Sequence, residues 1–140
     1  MPRWFDLPEF LSSPTAQAAG IDNTPSFEVV DHLRELTEMV LDPLRSAWGG
    51  PVIVTSGYRC PELNALVGGV RNSAHLTGYA ADIQPGDGRI AAFMDFVPKF
   101  IRGAGIRFDQ LIDERVGGKR WAHIALRDTL GRQRGQIFQI

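Results

Sequence analysis

Cysteine is nearly absent from this chain: the single Cys60 excludes an internal disulfide framework and any thiolate-rich zinc site. Charge of one sign is equally scarce, with 15 Lys and Arg against 16 Asp and Glu and no run of like charge. That balance argues against a nucleic-acid groove and against a polybasic membrane face. Long hydrophobic runs are missing too. The opening segment "MPRWFDLPEFLSSPTAQAAG" has no continuous apolar core of the kind a secretory signal carries, and no later stretch approaches the length needed to insert into a bilayer. A soluble protein without a visible export signal is expected. Its 140 residues, 44% of them hydrophobic, match one globular domain with one core, so a single domain over 1–140 is expected; a monomer is the working expectation, with nothing in the sequence that fixes the oligomeric state.

What is present is well punctuated. Residues 1–26 are rich in Pro, Ser, Thr, Ala and Gly, yet Trp4, Phe5, Leu7, Phe10 and Leu11 recur at spacings suited to an arm packed on the core. Val29, Leu33, Leu36, Val40 and Leu44 form the apolar stripe of an amphipathic helix closed by Gly49 and Gly50. Pro43 predicts a kink or break near Asp42. "PVIVTSGY" reads as a short buried strand, "CPELNALVGG" as a brief helix with Pro61 in its first turn, and "AADIQ" as a second strand. "GRIAAFMDFVPKFIRGAG" is a second helical stretch containing Pro98. From Phe108 on, the pattern becomes antiparallel β, with turns at "RVGGKR" and "DTLGRQR". The class is therefore α+β: a central antiparallel sheet with helices packed on one side.

Three residues in this framework carry metal-binding chemistry. In "WAHIALR", alternation sends Ala122, Ile124 and Leu126 one way and Trp121, His123, Ala125 and Arg127 the other, so His123 leaves the sheet on the face away from the apolar set. In "AADIQ", Asp82 emerges opposite Ala81 and Ile83. His75 lies seven residues before Asp82, with Gly78 between them to fold the chain back. Two imidazoles and a carboxylate form the three-ligand set of catalytic zinc, which lowers the pKa of a water to about 7 and polarises a carbonyl. A base is still required. Glu114, at the end of "FDQLIDE", is the nearest candidate, and Asp113 points to the opposite face of a regular strand; a bulge there would exchange the two. His32 is expected on the helix surface, Cys60 as a small, partly buried residue, and Trp121 as a cleft wall or packing residue.

The run "SGYRCPELNALVGGVRNSAHLTGYAADI" resembles the Ser-Gly-Tyr-Arg, Leu-Asn, Val-Gly-Gly and Ser-x-His-x-x-Gly-x-Ala-x-Asp-Ile blocks of the M15 zinc peptidases, and "FDQLIDE" and "WAHIAL" resemble their later blocks. The likeness spans about Phe27 to Leu126. It implies the fold shared by D,D-peptidases and the hedgehog signalling domain. It also implies Zn2+ as cofactor, His75, Asp82 and His123 as metal ligands, Glu114 as catalytic base, and Arg59 and Ser73 as residues that hold substrate. The activity implied is hydrolysis of an amide bond in bacterial peptidoglycan stem peptides, by a D-Ala-D-Ala carboxypeptidase or a related endopeptidase. Such an enzyme acts on the cell wall, in the periplasm or after phage-mediated release. The competing expectation is a non-catalytic, zinc-containing cell-wall or partner-binding module of the same fold.

Overall fold

The computed structural model describes residues 4–140. Two short helices make the arm: α1 (Leu7–Leu11), opened by a reciprocal capping box between Asp6 and Glu9, and α2 (Pro14–Ala19), capped by the Ser13 hydroxyl. Phe5 and Phe10 are buried in the main core, Leu7 and Leu11 pack partly against it, and Trp4 is exposed; residues 1–3 lie outside the described part. Asn23 fastens the arm by donating its side-chain amide to the carbonyls of Leu11 and Tyr58.

The long stripe from Val29 to Leu44 is realised in three pieces. Helix α3 (Phe27–Leu36) starts at the Ser26 cap, a π-helical turn covers Thr37–Leu41, and α4 (Asp42–Trp48) carries Pro43 in its first turn. The break expected near Asp42 takes this form because Pro43 has no N–H for the carbonyl four residues back, and the wider π turn absorbs the misfit while the stripe stays buried.

Five strands follow: β1 (Val52–Ser56), β2 (Ala80–Pro85), β3 (Gln110–Val116), β4 (Lys119–Ala125) and β5 (Gln136–Gln139), in the order β1-β2-β4-β3-β5. The short helix α5 (Pro61–Leu66) lies between β1 and β2, and α6 (Ile90–Gly103) between β2 and β3. The first four strands pair antiparallel. The fifth corrects the expected all-antiparallel sheet, because β5 runs parallel to β3 at the edge. A hairpin back from β4 is impossible, since β2 and β3 already occupy both sides of that strand. The chain instead crosses over through residues 126–135.

One sheet face, with Ala81, Ile83, Ala122, Ile124 and Leu111, joins the core formed with α3, α4 and α6. The opposite face carries Asp82, His123, Glu114 and Trp121. Among the described residues no helix is long and apolar enough to cross a membrane.

Candidate metal centre

His75 rides on a single 3-10 turn, Ala74–Thr77. Ser73 caps that turn, its hydroxyl oxygen accepting the His75 N–H at 3.2 Å. Gly78 closes it at φ +83, and a Cβ there would stand 2.8 Å from the Val29 carbonyl oxygen, so glycine is required twice over. The ring is held from behind. His75 Nδ1 lies 2.6 Å from the Gly57 carbonyl, which can only accept, so Nδ1 carries a proton and, in the neutral ring, Nε2 keeps its lone pair. Nε2 faces Asp82 Oδ1 at 3.3 Å.

The sheet supplies the other two groups. Asp82 and His123 are direct cross-strand partners in the β2–β4 ladder, and His123 Nδ1 sits 3.0 Å from the same Asp82 oxygen. One ligand atom from each of His75, Asp82 and His123 falls within 4.8 Å of the others, a group able to hold a metal ion. The donor set fits zinc: two nitrogens and a carboxylate oxygen converge, with one imidazole locked in the tautomer that presents its lone pair. Burial works against ionisation of Asp82, yet the two imidazoles outweigh it and hold its carboxyl well below the usual carboxylate range.

Glu114 and Asp113 part company here. The β3–β4 ladder is continuous, closed by a two-residue turn with Gly117 and Gly118 both at positive φ, so no bulge exchanges their faces. Asp113 is on the far face, forked by Arg120 at 2.9 and 2.7 Å and met by Arg115 at 3.3 Å. The Arg120 hydrogen bonds lead in holding its pKa down. Glu114 shares the face of His123. Its pKa is raised by burial and by the Asp82 charge, with His123, Trp121 and His75 opposing.

Arg59 reaches the centre from the side, its Nη2 3.6 Å from Asp82 Oδ2. Its aim is set by Ser56, which accepts from Nε at 3.3 Å, and by Asn64, whose Oδ1 accepts from Nη1 at 3.1 Å. Asn64 is itself pinned, donating Nδ2 to the Val70 carbonyl, and a Cβ on Gly69 would run into the Asn64 side-chain oxygen. Beside Arg59 opens a cleft of about 210 Å³, walled by Ser12 and Thr15 of the arm and by Thr55 and Tyr58. The arm can come this close because Gly57 has no side chain: a Cβ there would lie 2.5 Å from the Phe10 carbonyl oxygen.

Asn64 and the Gly57 carbonyl escaped the sequence reading, the first because a buried amide in a helix carries no periodic signal, the second because backbone carbonyls carry none at all. His32 was misplaced. It is half-buried, donates Nδ1–H to the Thr77 carbonyl at 2.7 Å and stacks on Tyr79 with ring centroids 4.0 Å apart, bracing the turn that bears His75. Cys60 is the cap of α5, its sulfur accepting the Leu63 N–H.

An α+β domain with a five-stranded sheet and a His-Asp-His cluster beside a half-buried glutamate defines the class of a metallohydrolase. Comparison with known sequence families narrows this: the family described as peptidase M15 matches residues 3–110, and the chain belongs to that family, whose peptidases are typically zinc-dependent. Comparison with curated proteins finds no match. The family match contains His75 and Asp82 but stops before Glu114 and His123, which the β3–β4 hairpin brings to the same face.

Proposed function

We propose that this chain is a zinc-dependent peptidase that hydrolyses an amide bond in bacterial peptidoglycan stem peptides, as a D-Ala-D-Ala carboxypeptidase or a related endopeptidase acting on the cell wall. The observation that carries the reading is the convergence of His75, Asp82 and His123 beside a carboxylate, Glu114, whose pKa is raised by burial and by the Asp82 charge. Zinc held by the three ligands supplies a Lewis acid for the scissile carbonyl and a water activated for attack.

The chain's own groups do the rest. Glu114 takes the proton from the attacking water and returns it to the leaving amine, a role suited to a carboxylate whose pKa burial raises. Arg59, fixed by Ser56 and Asn64, offers a planar fork to a substrate carboxylate or carbonyl at the mouth of the cleft. Ser73 has its oxygen engaged by the His75 N–H and keeps its hydroxyl hydrogen to donate to the peptide backbone.

The test is mass spectrometry of purified stem peptides incubated with zinc-loaded protein, with chelated protein and with Glu114→Gln. Zinc-dependent products that vanish in the variant support the peptidase, and their masses name the bond cut. A protein verified to hold zinc that yields no product overturns the peptidase in favour of a zinc-containing binding module.

A further inference from the structure

Two buried side-chain polar atoms have no hydrogen-bond partner among the described residues, Trp48 Nε1 and Trp121 Nε1. They differ in surroundings. The Trp48 ring packs edge-on against Phe93 on the helical side of the molecule. Trp121 is the direct cross-strand partner of Glu114 in the β3–β4 ladder and stands two residues before His123 on the same sheet face. A buried donor left open is costly wherever it occurs, and this one lies directly across the ladder from the proposed base.

We propose that Trp121 is a positioning residue for Glu114, its indole N–H holding the carboxylate toward the His75–Asp82–His123 centre. The inference rests on the reading of Glu114 as the base. In the resting arrangement the bond is not closed, yet the indole is near enough to favour the ionised carboxylate. With the centre loaded, the carboxylate closes this bond, and the indole signal of the zinc-loaded protein reports it.

The choice of donor matters chemically. An indole N–H is neutral, only donates, and does not titrate in water, so it orients a carboxylate without the full positive charge that makes a poor base. Asp113, one residue away, shows the alternative: Arg120 and Arg115 grip it and hold its pKa down. The hairpin thus gives one carboxylate a cationic clamp and the other a neutral one. With Trp121 in this role, Glu114 is aimed and remains basic.

The chain has three tryptophans, Trp4, Trp48 and Trp121, so a 15N-labelled, zinc-loaded sample shows three indole N–H signals, and Trp121→Phe assigns the one in question. In Glu114→Gln the Trp121 signal is expected to move upfield as the charged acceptor is lost, while the Trp4 and Trp48 signals stay in place. Trp121→Phe should lose about tenfold in kcat, the worth of one hydrogen bond, with KM and zinc content unchanged. A Trp121 signal that ignores Glu114→Gln overturns the proposal, as does an unchanged kcat in Trp121→Phe. Should the wild type cleave no stem peptide, the peptidase reading falls by itself and the indole signal alone decides whether Trp121 holds Glu114.

Discussion

Asp109 and Asp82 are both buried aspartates of this sheet region, 1% and 6% exposed, and the chain treats them in opposite ways. Arg134 forks Asp109 with Nε and Nη2 at 2.8 and 2.9 Å and adds its backbone N–H at 3.1 Å. Neighbouring Asp128 is gripped likewise by Arg132 and by two backbone N–H groups. Together these pairs fasten the crossover that delivers β5 to β3. Among the described residues Asp82 has no such fork. Two imidazoles approach one of its oxygens, and the nearest guanidinium, that of Arg59, stays at 3.6 Å, committed to Ser56 and Asn64. A buried carboxylate forked by arginine is satisfied as structure, whereas Asp82 belongs with two imidazoles to a group able to hold a metal ion.

The contrast is broken most severely by Glu114→Gln, which leaves His75, Asp82 and His123 in place. Turnover should fall by roughly 10²–10⁴-fold with zinc content unchanged, read by stem-peptide cleavage alongside metal analysis. His123→Ala attacks the open site directly. Bound zinc should drop from an expected one equivalent in the wild type to a small fraction, and added zinc, expected to raise the melting temperature of the wild type, should not raise that of the variant.

The closed site should answer differently. Arg134→Ala strands a buried carboxylate and should cost about 3 kcal/mol in denaturant unfolding while zinc stoichiometry holds. A loss of zinc with stability intact would reverse the roles assigned to the two aspartates.

The smallest effect concerns the brace behind His75. Tyr79, desolvated and hydrogen-bonded to Glu35, has its pKa pushed up from 10.0 to about 12. The fold thus favours the protonated phenol. Its contribution is fully present below pH 10 and is lost as pH rises from about 10 towards 12. The fall in unfolding free energy over that window should be shallower in Tyr79→Phe.

Much of this was legible in the linear chain. Alternation along "WAHIALR" is enough to separate His123 from the core set, because a strand in a half-covered sheet has only two faces. The pair Gly49 and Gly50 marked the end of the long apolar stripe for an equally local reason, and Gly49 closes α4. The parallel course of β5 was not legible. A turn-rich segment such as "DTLGRQR" serves a hairpin or a crossover alike, and strand order decides between them.

The residue types at the centre, their spacing and the faces they occupy were determined by the sequence alone, since each follows from the period of one element and the φ a glycine permits. Only the tertiary structure decided which of Asp113 and Glu114 is clamped by arginine, which nitrogen of His75 is held by a backbone carbonyl, and what aims Arg59. Those choices rest on Arg120 reaching Asp113, on the Gly57 carbonyl behind His75 and on Asn64 beside Arg59. Each is a contact of direction and distance between side chains or backbone groups, and no periodicity along the chain encodes it.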